Sequence, residues 1–244
     1  MKSRFVVLKD RPDQRDLKYK STGLDTADQV DLRLWASPIE DQLRLGSCVG
    51  QSVVGAYELM VNKLIPTKFV DLSRLFVYYN SRALDNSTQV DGGAFVRDGI
   101  KSLNKWGVCS ESIWPYLLDK FAEAPSINAY TDAMTRVVNR YYRLYTLDHI
   151  LEALNLGYPV VSSMDVYDGF EELDRPSLLK MPKSAERLIG GHAVTIVGYN
   201  KKSKIMIIRN SFGTTWGDAG YFYAPFDYIK KHFMDHWIFD IKTA

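Results

Sequence analysis

Residues 47–60 read SCVGQSVVGAYELM, and they predict a helix whose first turn carries a cysteine. The apolar side chains recur at intervals of three and four, at Val49, Val53, Ala56, Tyr57 and Met60. Such spacing places them on one face of a helix, which would pack against a core. Ser47 is a preferred type of N-cap residue, so the helix is expected to begin at Cys48.

The cysteine at the start of this helix is a candidate nucleophile. A thiol attacks a carbonyl as its thiolate, and the partial positive charge of a helix N-terminus lowers the pKa of a nearby thiol. By position alone, Cys48 also fits a small buried hydrophobic residue, which is the commoner role of a cysteine. Gln42 precedes it by six residues and offers a side-chain amide of the kind that stabilises an oxyanion in acyl transfer.

A histidine and an asparagine in the second half of the chain supply the other groups that a thiol nucleophile needs. His192 follows two glycines and stands at the start of a predicted strand, and Asn210 follows the strand predicted over residues 205–209. An imidazole takes up and returns a proton, and an asparagine oxygen holds it in one orientation. The ordinary alternatives are a buried structural histidine and a turn-forming asparagine.

Helical and strand patterns separate along the chain. Helices are predicted over residues 48–60, 72–79, 95–106 and 147–155. Strands are predicted over residues 137–144, 159–164, 193–199, 205–209 and 220–224. This order indicates an α+β fold with a helical lobe over residues 31–125, a β-rich lobe over residues 126–244 and a cleft between them.

The first thirty residues differ from the rest of the chain and are here called the arm. Its first twenty residues carry seven basic and three acidic side chains, and turn-forming residues interrupt it. We expect the arm to lie on the surface of the rest of the protein rather than to build a core.

The composition excludes several classes of function. The 244 residues carry 31 basic and 29 acidic side chains, which gives no basic surplus for binding nucleic acid. No apolar run reaches the roughly 18 residues of a membrane-spanning helix, and no signal peptide is recognised. With two cysteines the chain has no disulfide framework, so an intracellular location is expected.

The chain resembles the papain-like cysteine proteases from about Val30 to its C-terminus. Matching segments come in the family's order: Gln42, Gly46-Ser47-Cys48, His192-Ala193-Val194, Val197-Gly198-Tyr199, Asn210-Ser211-Phe212-Gly213, Trp216-Gly217 and Gly220-Tyr221. His192 follows Cys48 by 144 residues and Asn210 follows it by 162, against roughly 130 to 150 in the family. The longer second interval is explained by an insertion.

The resemblance implies a papain-like fold, with a helical left lobe and a β-barrel-like right lobe, and the activity of a cysteine endopeptidase. It implies Cys48 as nucleophile, His192 as its ion-pair partner and general acid, Asn210 as the residue that orients His192, and Gln42 with the Cys48 N–H as oxyanion hole. It also implies a set of substrate-binding residues, which are Gly92, Gly93, Ala193, Ser163 and Trp216. No metal or cofactor is expected, and the substrates are polypeptides.

The chain departs from the family's pattern at three positions near the site. Leu45 replaces a disulfide cysteine, Val49 replaces the Trp that usually follows the nucleophile, and Phe212 replaces a shielding Trp. None of these changes removes a catalytic atom. Two other functions are considered: a pseudoenzyme that binds peptides without cutting them, and an amidase or transferase that uses the same residues.

Two further features lead to expectations that the structure can address. The arm is interpreted as a short built-in propeptide that lies in or beside the cleft, as in a zymogen. His232 and His236 are four residues apart and would share one face of a helix, but a zinc site there is not expected because no Glu follows His232. The compact, disulfide-poor pattern is similar to bacterial or large-virus members of the family, so the predicted setting is a bacterium or an infected host cell.

Overall fold

A computed structural model describes residues 5–66, 69–173 and 176–241 of the chain. Four of the described helices come before the main strands: α1 (Cys48–Leu64), α2 (Arg74–Ala83), α3 (Val96–Trp106) and α4 (Ile127–Ala133). Two more are placed among the strands: α5 (Leu147–Asn155) and α6 (Phe226–His232). Helix α1 therefore starts at the predicted cysteine, and α5 has the predicted bounds.

The described strands form one antiparallel sheet. They are β1 (Gln29–Asp31), β2 (Val138–Leu144), β3 (Val160–Tyr167), β4 (Leu188–Asn200), β5 (Ile205–Arg209), β6 (Tyr221–Pro225) and β7 (Phe233–Ile241). Their order across the sheet is β2-β7-β3-β4-β5-β6, and β1 pairs with β4. The mixture of helices and antiparallel strands agrees with the predicted α+β class.

Two hydrophobic cores lie on either side of the contact between helices and sheet. One is built mainly from α1, α2 and α3, and the other from the sheet with α5 and α6. Helix α1 packs directly on β4, where the Thr195 hydroxyl donates a hydrogen bond of 3.0 Å to the Ser52 carbonyl oxygen. Because α1 and β4 carry the cysteine and the histidine, this packing brings the two halves of the predicted site together.

Four of these elements were not predicted from the sequence: β1, α4, α6 and β7. Strand β7 lies between β2 and β3 although it contains the buried polar residue Asp235, which weakens its apolar pattern. The short helix α4 follows residue 125, yet its Ala129 and Ala133 pack into the core of α1, α2 and α3. The change from helical to sheet core therefore falls after α4 rather than at residue 125.

A buried ion pair joins α1 to the start of α2. The Arg74 guanidinium lies 2.8 Å from Glu58 Oε2, and the two side chains are 3% and 0% exposed. The other Glu58 oxygen accepts a hydrogen bond of 2.9 Å from the Leu72 N–H. Burial raises the pKa of Glu58, and the opposite charge of Arg74 works against that rise. The pair thus fixes α2 against the helix that begins with Cys48.

We expect Glu58→Ala to lower the free energy of unfolding by about 3 kcal/mol, because it leaves the Arg74 guanidinium buried without its main partner. Urea unfolding followed by circular dichroism measures the loss. Lys230→Ala is the matched control, since Lys230 forms an exposed pair with Asp227 at 3.7 Å and its removal should cost about 0.5 kcal/mol or less. Equal losses in both variants would contradict this assignment.

Candidate active site

The Cys48 thiol lies where α1 meets β4. Its side chain is fully buried and accepts hydrogen bonds from the backbone N–H groups of Ala193 and Val49 and from its own N–H. Ala193 directly follows His192 in β4. The sulfur from the helical half is therefore held one residue away from the imidazole-bearing residue of the sheet.

Ser47 has a different role from the predicted helix cap. Its side chain makes no capping bond to α1; its Oγ lies 2.5 Å from the Tyr116 hydroxyl oxygen. Tyr116 in turn donates a hydrogen bond of 2.9 Å to the carbonyl oxygen of Gln42. Ser47 is thus the donor to Tyr116, and the two hydroxyls connect the residue before the cysteine to Gln42.

The imidazole of His192 is held by Asn210. The distance from His192 Nε2 to Asn210 Oδ1 is 2.7 Å, and both residues are buried. Because this oxygen only accepts hydrogen bonds, Nε2 carries the hydrogen. The Phe212 ring lies 4.9 Å from the imidazole, between ring centroids, and shields this contact in place of the family's Trp.

Gln42 is fixed from both ends of its side chain. Its Nε2 donates a hydrogen bond of 2.9 Å to the Leu45 carbonyl, and its Oε1 accepts one of 2.7 Å from the Ser211 hydroxyl. Its backbone N–H also donates to the Ser211 carbonyl at 2.9 Å. Ser211 therefore links Gln42 to the histidine side of the site. Sequence analysis did not assign Ser211 a role, although its position directly after Asn210 was the signal that could have indicated one.

The predicted glycine strip lies beside the loop that precedes Cys48. The Gly46 N–H donates a hydrogen bond of 2.9 Å to Asp91 Oδ1, which also accepts one from the Tyr78 hydroxyl. Gly93 has a positive φ of 79°, and a Cβ atom at this position would lie 1.8 Å from the Val6 carbonyl oxygen. Only glycine therefore allows the arm to approach this wall so closely; Gly92 lies next to it and makes no such contact.

The arm runs between the two walls of the cleft. The Val7 N–H donates to the Gly191 carbonyl on β4, and the Leu8 N–H donates to the Ala94 carbonyl on the opposite wall, both at 3.1 Å. Phe5 lies edge-on to the His192 imidazole with 5.7 Å between ring centroids. With the arm in this position Cys48 and His192 are both fully buried. Residues 1–4 of the arm lie outside the described residues.

Aromatic side chains surround Phe5 at one end of the cleft. Its ring centroid lies 6.0 Å from that of Phe170 and 6.1 Å from that of Phe212. Phe170 also contacts Trp216, at 5.3 Å, and the Trp216 Nε1–H donates a hydrogen bond of 2.8 Å to the Glu171 carbonyl. Phe170 was not predicted as part of the site, because it follows β3 in a segment with no matching motif.

The two predicted pocket residues on the sheet are neighbours. Ser163 on β3 pairs with Ala193 on β4, and both are buried. The Ser163 hydroxyl lies 3.1 Å from Asp235 Oδ2 on β7. The sequence did not single out Asp235, because one aspartate in a run of mixed residues carries no motif.

The pKa of the Cys48 thiol differs from the sequence-based expectation. Burial raises it to about 11, and the backbone N–H groups of Ala193, Val49 and Cys48 itself lower it by less. The backbone N–H groups at the helix N-terminus do lower the pKa as predicted, but removal of the sulfur from water outweighs them and the net shift is upward. With the arm docked, Cys48 is a thiol at neutral pH.

The remaining candidate residues lie apart from the cleft chemistry. Cys109 is buried, and burial raises its pKa to about 12. His232 ends α6 whereas His236 belongs to β7, so the two do not share a helix face. Within the described ranges, no group of three or more His, Cys, Asp or Glu side chains could hold a metal ion, and no helix is long and apolar enough to cross a membrane.

Comparisons with known proteins agree with this geometry. The model of the papain family cysteine proteases matches residues 26–231. An uncharacterized peptidase C1-like protein of Acanthamoeba polyphaga mimivirus is 40% identical, over 96% of this chain and 86% of its own. Xylellain, a cysteine protease from Xylella fastidiosa, superposes with a TM-score of 0.89 at 31% identity, over 98% of this chain and 96% of its own.

A more distant structure shares the fold alone. Procathepsin L 3 from the larval midgut of Tenebrio molitor has a TM-score of 0.71 at 21% identity, over 92% of this chain and 73% of its own. The predicted papain-like fold is confirmed by these structures together with the family match. The chain belongs to the papain family of cysteine proteases and is a peptide hydrolase.

Proposed function

We propose that this chain is a cysteine endopeptidase that uses Cys48, His192, Asn210 and Gln42, and that its own arm holds it inactive. The observation that carries the catalytic part is the 2.7 Å hydrogen bond between His192 Nε2 and Asn210 Oδ1. The residue directly after His192 is Ala193, whose backbone N–H binds the Cys48 sulfur. The arm's hydrogen bonds to both walls carry the second part.

Catalysis begins once the cleft is open to water and substrate. His192 takes the proton of the Cys48 thiol, and the thiolate attacks the carbonyl carbon of the scissile peptide bond. The resulting oxyanion accepts hydrogen bonds from the Cys48 N–H and from the Gln42 Nε2–H that does not bond Leu45. The C–N bond then breaks as His192 returns its proton to the leaving amine, which leaves a thioester on Cys48.

Water completes the reaction. His192 accepts a proton from a water molecule, whose oxygen attacks the thioester carbonyl. The C–S bond breaks, the carboxylic acid leaves and Cys48 regains its proton. Asn210 keeps the hydrogen on His192 Nε2, so that Nδ1 is the nitrogen that exchanges protons.

Self-inhibition rests on steric exclusion by the arm. Val6 occupies the space beside Gly93, so a substrate backbone cannot lie on the glycine strip while the arm is docked. Phe5 covers the imidazole of His192 and contacts Phe170 and Phe212. The Cys48 sulfur is itself buried in this arrangement, and burial raises the pKa of its thiol and so keeps it protonated and unreactive.

Removal of residues 1–10 should raise kcat/KM for a fluorescently labelled unfolded protein by about tenfold or more, because it frees both walls of the cleft. Val7→Pro in the full chain should give a smaller increase, since proline removes the N–H that donates to Gly191. Equal initial rates for the full chain, its Val7→Pro variant and the shortened chain would contradict inhibition by the arm.

In the chain without residues 1–10, Gln42→Ala should lower kcat by about 10²–10³-fold, because it removes one oxyanion donor. Cys48→Ala should abolish hydrolysis. Cys109→Ala is the matched control and should keep the parent rate, since this second buried thiol lies in the helical core. Mass spectrometry of the products checks that internal peptide bonds are cut; loss of activity only in Cys109→Ala would refute the assignment.

A further inference from the structure

Beyond the segment that lies in the cleft, two carboxylates of the arm, Asp10 and Asp16, have different kinds of partners. Asp16 forms ion pairs with the guanidinium groups of Arg97, at 2.7 Å, and Arg143, at 3.4 Å. Asp10 has no such ion pair in the part of the chain that the structure describes. Its oxygens accept hydrogen bonds from two uncharged donors, the Arg97 backbone N–H at 3.2 Å and the Trp237 Nε1–H at 2.8 Å.

A second carboxylate lies against Asp10. The Asp10 N–H donates a hydrogen bond of 2.9 Å to Asp235 Oδ2 on β7, and both residues are 4% exposed. The Arg143 guanidinium is bound to Asp235 at 2.6 Å, and that of Arg97 is directed to Asp16. The available cations are therefore paired with other carboxylates, and Asp10 is buried beside a group that would repel its charge.

We propose that docking of the arm is coupled to the uptake of one proton by Asp10, so that the arm closes the cleft under acidic conditions and loosens as the pH rises through neutrality. This inference rests on the proposed inhibition by the arm and adds its regulation. The proton comes from solvent, and no covalent bond changes.

The direction of this pH dependence follows from the charges that surround Asp10. Burial and the neighbouring Asp235 raise the pKa of docked Asp10 to about 7, and the positive charge of Arg97 on α3 opposes them more weakly. The other charged or titratable groups around Asp10 and its neighbours are Arg143 on β2, Arg11, Asp13 and Asp16 on the arm, and His236 on β7, whose pKa is lowered to about 4 by burial and stays below the pH range considered. Arg143 is bound to Asp235 and Asp16, and Arg11 lies over the Phe95 ring.

A released arm returns Asp10 to water, where an aspartate has an ordinary pKa of about 3.9. The docked state therefore binds more protons between these two pKa values, and docking weakens as the pH rises through about 7. With these two pKa values for Asp10, the equilibrium constant for docking of the arm is about 50-fold smaller at pH 7 than at pH 5.

Hydrogen exchange of the Val7 and Leu8 amides in the full chain tests this coupling. Both N–H groups bond to the cleft walls only when the arm is docked, so their protection factors report the docking equilibrium. We expect these protection factors, corrected for intrinsic exchange rates, to fall about 50-fold from pH 5 to pH 7. In Asp10→Asn they should stay constant over this range, because the side-chain amide does not titrate and its oxygen still accepts the hydrogen bond from Trp237.

Phe5→Ala is the matched control on the same arm. It removes the ring contacts with His192, Phe170 and Phe212 and changes no charge, so protection should drop at every pH while the ratio between pH 5 and pH 7 stays as in the unaltered chain. Amides of β4, such as that of Val197, should stay protected in both variants and show that the fold is intact.

The outcomes separate this inference from the proposed function. If the unaltered chain protects Val7 and Leu8 equally at pH 5 and pH 7, the coupling to Asp10 is wrong although the arm still inhibits. If these amides are unprotected at both pH values and removal of residues 1–10 leaves the rate unchanged, inhibition by the arm is itself wrong. An equally steep fall in Asp10→Asn assigns the proton to another group and also overturns the proposal.

Discussion

The packing of helix α1 against strand β4 is the contact on which the site depends. It places the first residue of the helix beside Ala193, so that a backbone N–H from the strand reaches the Cys48 sulfur. Neither lobe holds the complete set of proposed catalytic residues, because Cys48 and Gln42 come from the helical half while His192 and Asn210 come from the sheet. Interactions that hold α1 in place, such as the Glu58–Arg74 pair, therefore support the chemistry from a distance.

The same cleft is the place where we propose that the arm holds the enzyme inactive. The two walls present backbone carbonyl groups at Gly191 and Ala94, and the extended arm satisfies both. The lack of a side chain at Gly93 lets a peptide carbonyl come close to the wall. In the proposed inhibition, an arm that uses these features competes directly with substrate.

The sequence predicts the fold and indicates the proposed catalytic residues because the signals are either periodic or local. The bounds of α5 and β5 agree with their hydrophobic patterns, and α1 begins at the predicted cysteine. Strand β7 could not be predicted in the same way, because Asp235 and His236 interrupt its apolar pattern and are stabilised only by tertiary partners. The raised pKa of Cys48 was also beyond the sequence, since it depends on how completely the folded chain buries the sulfur.

The central claim is that the fold brings a thiol from the helical half to an imidazole from the sheet. Treatment of the chain without residues 1–10 with an epoxide inhibitor of thiol proteases, followed by mass mapping of the adduct, tests it most directly. The account predicts a single adduct on Cys48 that His192→Ala strongly suppresses. An adduct on Cys109, or labelling of Cys48 that is unchanged in His192→Ala, would contradict it.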